Sequence, residues 1–153
     1  MITLPQRRGE RPETHDGLPH EQLSQNAPLD MYDRLKGQAW GFEFVERRPS
    51  IVSVPGAEAL WLTDEGGDGC AEAFLAGKEF AHVHPPHDGS MHMRLPLDQV
   101  QELLERGWGE HHPLVPAGKM APTSVMVFGP RNPDELAVVL DLIAASYTFA
   151  RGL

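Results

Sequence analysis

The chain has 153 residues, 41% hydrophobic and 23% charged, which is enough for one folded domain with a short extension but not for a second large domain. Thirteen Lys and Arg against 22 Asp and Glu leave a net charge of -9, which argues against nucleic-acid phosphates or an anionic membrane surface as partners. No run approaches the roughly 20 apolar residues of a membrane span, Met1–Gln6 lacks the apolar centre of a secretory signal, and the single cysteine, Cys70, excludes an internal disulfide or a multi-cysteine zinc site, so a cytoplasmic setting is expected.

Residues 1–28 are punctuated by Pro5, Pro12, Pro19 and Pro28 and carry only isolated apolar residues. They read as a disordered or loosely docked tail, with His15 and His20 in solvent. A single domain is expected over 29–153. It opens with a short helix over 30–36, capped by Asp30 and stopped at Gly37. Alternation over 42–46 predicts a strand. Ile51, Val52 and Val54 predict a second strand, and 59–62 a third, with Pro55-Gly56 as the turn between them. Residues 71–76 suit either a helical turn or an edge strand. Residues 79–84 and 90–95 read as a hairpin joined by Pro85-Pro86-His87-Asp88-Gly89.

Asp98 and Gln101 have capping-box spacing at the head of a short helix that buries Val100, Leu103 and Leu104 and stops at Gly107. Ser124–Phe128 is an apolar, Val-containing strand. Asn132, Pro133 and Glu135 then mark the start of the clearest element. In it Leu136, Val139, Leu140, Ile143, Ala144 and Tyr147 recur at helical spacing up to about Ala150. Hairpin strands with few, late helices predict an α+β fold, an antiparallel sheet of five or six strands covered by two main helices.

Histidine is the unusual residue. Six of the eight lie between His82 and His112. Side chains alternate along a strand, so His82 and His84 share a face, and His92 on the returning strand sits across from them. Three converging imidazoles suit one transition metal such as iron, copper or zinc. Asp88, His87, His111 or His112 would be the candidate fourth ligand, and three ligands alone would leave an open, catalytic type of site. The competing reading is a polar cleft in which the histidines only hydrogen-bond. His82-x-His84 with Asp88 also looks like half of a cupin metal motif, but Asp replaces Glu and too few strands remain for a double-stranded barrel.

The other motifs are weaker. Trp108 either packs or lines the cleft, and one of His111 and His112 would close it. Arg94 shares a strand face with His92. Arg131, just before a helix N-terminus, either holds a substrate anion or pairs with carboxylates of the final helix. No flavin or nicotinamide motif is present: the run Gly66-Gly67-Asp68-Gly69 is acidic and would repel phosphate.

Several segments in one order resemble the luciferase-domain family of bacterial and fungal proteins: Arg48–Gly56, Glu79–Pro85, Asp88–His92, Gly107–Glu110, His112–Leu114, Met126–Arg131, Ala145–Tyr147 and Phe149–Ala150. The resemblance spans about residues 43–152. It implies the chemistry of fungal luciferases, which add dioxygen to a hydroxylated pyrone without a flavin. It also implies His82, His84, Asp88, His92 and His112 as site residues, with Trp108 lining the pocket.

The leading expectation is a small soluble enzyme that carries out oxygen-dependent oxidation of a phenolic or enolic ring. His82, His84 and His92 would be the catalytic groups or the ligands of a metal, with Asp88 as a further ligand. Trp108, Arg94, Arg131 and His112 would bind the substrate. The partner is a small organic molecule, and a homodimer is a candidate assembly. The alternative is a non-catalytic module that binds a small ligand or metal in the same cleft. A metal-dependent hydrolase or isomerase is the third reading.

Overall fold

The computed structural model describes residues 1–153. Helix α1 (Leu29–Gln38) leads into strands β1 (Val45–Pro49), β2 (Glu58–Leu62), β3 (Glu79–Val83) and β4 (Met91–Arg94). Helix α2 (Leu97–Arg106), strands β5 (Gly109–His111) and β6 (Ser124–Val127), and the long α3 (Pro133–Arg151) follow. The six strands form one antiparallel sheet in the order β1-β2-β3-β4-β6-β5. The fold is α+β, as expected. No helix is long and apolar enough to cross a membrane.

α3 begins where the sequence places it. Asn132 Oδ1 accepts from the Glu135 N–H at 2.9 Å, Pro133 takes the first turn, and Gly152 closes the helix in the left-handed conformation. Its buried side is Leu136, Val139, Leu142, Ile143, Ser146 and Ala150. Leu140, Ala144 and Tyr147, expected in the stripe, are only partly buried; α3 packs on β3, β4 and α1. α2 lacks its expected capping box: Pro96 precedes it without a side-chain cap, and Asp98 accepts instead from the Gln99 N–H.

Glu135 also reaches back to accept from the Arg131 backbone and guanidinium. Burial alone would raise this carboxyl, but those bonds hold it below its ordinary 4.5. A carboxyl with a lowered folded value favours the fold above its unfolded value, and that contribution disappears as pH falls through the folded one. Glu135→Gln should therefore lower the Tm at neutral pH and flatten the acid limb of a Tm-versus-pH curve. Superimposable slopes for the two proteins would contradict this role.

Three further sequence expectations move. Helix α1 starts after Pro28 without a side-chain cap and runs through Gly37 to Gln38, so Asp30 does not cap it and Gly37 does not stop it. The first strand is β1, displaced from 42–46 to Val45–Pro49. The segment 51–54 is irregular, since the Ile51 N–H donates to the Glu79 carboxylate at 3.1 Å rather than to a strand partner.

The segment 1–28 is not a loose tail. Leu4 enters the main apolar cluster, and Arg7, His20, Gln22 and Ala27 are buried. The Leu4 N–H donates to Glu102 at 2.8 Å, the Arg7 N–H to the Arg106 carbonyl at 2.9 Å, and the Gly129 N–H to Gln22 at 2.8 Å. Residues 13–23 fold back as a hairpin through His15 to Glu21 and Leu23 to Glu13 backbone bonds. Composition predicted disorder because the arm has no core of its own. It is ordered because partners about 100 residues away supply the apolar contacts and satisfy its polar groups.

Candidate functional site

The β3–β4 hairpin sets the site. Its register pairs His82 directly with His92, as the period-2 alternation anticipates, and the loop over 85–89 returns the chain so that the Ser90 carbonyl accepts from the His84 N–H at 3.0 Å. Successive partners put Ala59, His82, His92, Met126 and Glu110 in one row across the sheet. Directly opposed residues point to the same side, so Glu110 shares the histidine face with the Met126 strand between it and His92.

Glu79 reaches this face through an irregularity. Leu60 pairs with Ala81 but Trp61 pairs with Glu79, so Phe80 is an extra residue on β3. Such a bulge reverses the alternation on its far side. Phe80 turns into the core, and the fully buried Glu79 carboxylate turns to His82. It accepts from His82 Nδ1 at 2.8 Å, from Ser50 Oγ at 2.8 Å and from the Ile51 N–H.

His84 Nδ1 lies 2.9 Å from Ser90 Oγ and 3.2 Å from Asp88 Oδ2. Asp88 is occupied by that contact, by the Ser90 N–H at 2.9 Å and by the Gln22 N–H at 3.3 Å. It stands behind His84 rather than among the converging nitrogens, against the expectation that it ligates a metal. Burial would raise its carboxyl, but the bonds from His84 and Ser90 hold it low.

His20 is the residue the sequence reasoning missed. It comes from the arm to stack beside His92, with Nδ1 2.8 Å from His92 Nε2 and Nε2 3.0 Å from Glu110. Glu110 also accepts from Arg11 at 2.9 Å and from Thr14 at 2.9 Å. Nothing in the composition of the arm signals this placement; the histidine itself, in an otherwise bland segment, was the only mark.

His82, His84, His92 and His112 thus line one cleft with His20, and its walls include Leu18, Val54, Leu75 and Met120. Its volume is about 480 Å³, within the range of small-molecule sites. Burial lowers the pKa of His82 despite Glu79, and burial with the surrounding imidazoles lowers that of His92 well below the usual value. Burial, with His20, His82 and Arg94 nearby, takes His112 down to about 4. These three imidazoles are therefore neutral at neutral pH, with lone pairs available. His112 Nδ1 accepts from the Leu114 N–H at 3.1 Å, so its Nε2–H is a donor.

The remaining candidates lie elsewhere. Trp108 is buried and donates its indole N–H to the Pro5 carbonyl at 2.6 Å, which fastens the arm; it does not line the cleft. Arg131 is held by Glu135, Gln25 and the Arg8 carbonyl, away from the histidines. Of its two sequence readings, pairing with the final helix is the one realised. Arg94 is also outside the lining: its guanidinium donates to the Glu72 carbonyl at 3.1 Å, and its Nε is buried without a partner. His87 is exposed and bonded to Glu21 at 2.7 Å.

The protein is thus a single-sheet α+β domain whose part-apolar cleft is floored by histidines and has the volume of a small-molecule site. Residues 77–146, just under half of the chain, match the family model described as Luciferase domain. It is 39% identical over 71 residues to luciferases of Armillaria gallica and Armillaria mellea, and 37% identical over 71 residues to that of Neonothopanus nambi. The match takes in 45% of this chain and 27% of each of those proteins. No solved structure matches. The matched segment contains His82, His84, His92 and His112 together with Glu79, Asp88 and Glu110, whereas His20 lies outside it.

Proposed function

We propose that this protein is a flavin-independent enzyme that oxidises an electron-rich phenolic or enolic ring with dioxygen, the ring lying in the histidine-lined cleft. The observation that carries this reading is coincidence: the stretch shared with luciferases is the stretch that supplies the floor of the cleft. The apolar walls suit a flat ring, and the imidazole floor suits its hydroxyl.

The histidines' own part in the chemistry is proton handling. His82 and His84 each turn Nδ1 to an acceptor, and the Nε2 lone pair of one of them takes the ring hydroxyl proton, leaving an enolate. One electron passes from the enolate to dioxygen, and the two radicals combine to form one carbon–oxygen bond. The proton then returns to the outer oxygen, so the product is the keto hydroperoxide: substrate plus one O2, with no other reductant. The His112 Nε2–H is placed to donate to an oxyanion during this sequence.

The test is oxygen consumption by the full-length protein across a panel of hydroxylated pyrones and phenols. Uptake that depends on a ring hydroxyl is expected, with the O-methylated analogue inert. Tight binding of a panel member in calorimetry, with no oxygen uptake by any of them, would overturn the enzyme reading in favour of a binding module.

A further inference from the structure

We propose that His82 Nε2, His84 Nε2 and His92 Nδ1 form a three-imidazole site for one divalent first-row transition-metal ion, with His20 of the N-terminal arm holding the third ligand in its metal-binding tautomer. The proposal deepens the function above, since the ion would sit on the floor of the same cleft. It does not depend on turnover.

Distance is the first argument. His92 Nδ1 lies 3.1 Å from His82 Nε2 and 3.1 Å from His84 Nε2, and the three atoms lie within 4.8 Å of one another. A metal roughly 2.0–2.1 Å from each imidazole nitrogen puts neighbouring ligand atoms roughly 2.9–3.4 Å apart, from octahedral to tetrahedral geometry.

Proton accounting is the second, and it is independent of the first. Glu79 only accepts, so His82 carries its hydrogen on Nδ1 and presents a lone pair at Nε2. Ser90 donates its hydroxyl hydrogen to Asp88 and is left as an acceptor, so the His84 hydrogen is also on Nδ1 and its Nε2 is bare. Glu110 accepts from Arg11, Thr14 and His20, which puts the His20 hydrogen on Nε2 and a lone pair on Nδ1. His92 must then donate from Nε2 to His20 Nδ1, and its own Nδ1 is bare. Three buried lone pairs face one another with no hydrogen left to place between them. Moving a proton to His92 Nδ1 would make His20 turn a bare nitrogen on the Glu110 carboxylate. A cation at the centre removes the conflict.

The surroundings of the three rings fit an ion as well. Each ligand imidazole has its outer nitrogen tied to a carboxylate, a serine or a second histidine, which is the pattern that orients metal-ligating histidines. Three ligands from one hairpin leave coordination positions towards the cleft, as in a catalytic site. All-nitrogen ligation suits iron, copper, nickel or zinc rather than magnesium or calcium. Bound there, the ion would occupy the Nε2 lone pairs that take the ring proton in the metal-free cleft, and would in their place supply Lewis acidity that lowers the pKa of a ring hydroxyl at the cleft floor, so that the proton leaves to solvent. The second histidine trio, His20, His92 and His112, is not such a site, because His20 spends both nitrogens on His92 and Glu110.

The test uses the full chain, stripped with chelator and titrated with Co(II). The expected result is a stoichiometric visible d–d absorption and a rise in Tm. His82→Ala should abolish both. His20→Ala should keep the band but weaken affinity by roughly 10- to 100-fold, and His87→Ala should change nothing. Absence of both band and Tm rise in folded wild-type protein at millimolar Co(II) overturns the proposal, even if the His82 variant fails to fold. So does unchanged affinity in a folded His82→Ala protein. Co(II) binding without oxygen chemistry would leave the site standing and remove the proposed function. Oxygen uptake by folded protein that binds no metal would do the reverse.

Discussion

His82→Ala is expected to lower substrate-dependent oxygen uptake by at least about 100-fold, the scale of a lost acid–base group, while the domain stays folded. His82 is the one imidazole tied to Glu79 on one side and within 3.1 Å of His92 on the other. Its removal takes away a lone pair at the cleft floor and leaves His92 and His84 without their neighbour. The fold should tolerate the change, because Glu79 keeps the Ser50 hydroxyl and the Ile51 N–H as donors and alanine fits a β-strand facing a cleft. Steady-state oxygen uptake alongside far-UV circular dichroism checks both halves. Full turnover in the variant would remove His82 from the chemistry.

Gly109→Ala is expected to cost about 3 kcal/mol, the upper part of the range for forced overpacking. A Cβ at this position would come within 2.0 Å of the Met126 carbonyl and 2.9 Å of Leu103 Cδ2. The carbonyl is backbone and cannot swing aside, so β5 would have to leave β6. That strand carries Glu110, the anchor of His20, so the loss should reach the site as well as the sheet. Urea denaturation of the two proteins measures it. A change below about 1 kcal/mol, typical of surface substitutions, would mean that β5 can shift without loss.

The two variants divide the site along the line between local and distant causes. The His82–His92 pairing was legible in the sequence, because a two-strand hairpin with one short loop has few registers, and the pleat then assigns faces. The start of α3 was legible for a similar reason: Asn132, Pro133 and Glu135 act within one turn. The strand expected over 51–54 failed because Ile51 gives its N–H to a carboxylate 28 residues away. Arg131 was left with two readings because Glu135, four residues on, and a helix N-terminus both compete for it. The structure realises the ion pair.

By itself, then, the sequence determined an acidic α+β domain and three histidines on one face of a hairpin, since helix caps, turn residues and the strand period operate over a few residues. Only the tertiary structure decided what surrounds them. The Phe80 bulge that brings Glu79 to His82 exists only as a register mismatch between two strands. The docking of the arm that brings His20 to His92 depends on contacts between residues 72 positions apart. Neither leaves a trace in local spacing, because the free energy that selects it resides in long-range burial and hydrogen bonding rather than in the segment itself.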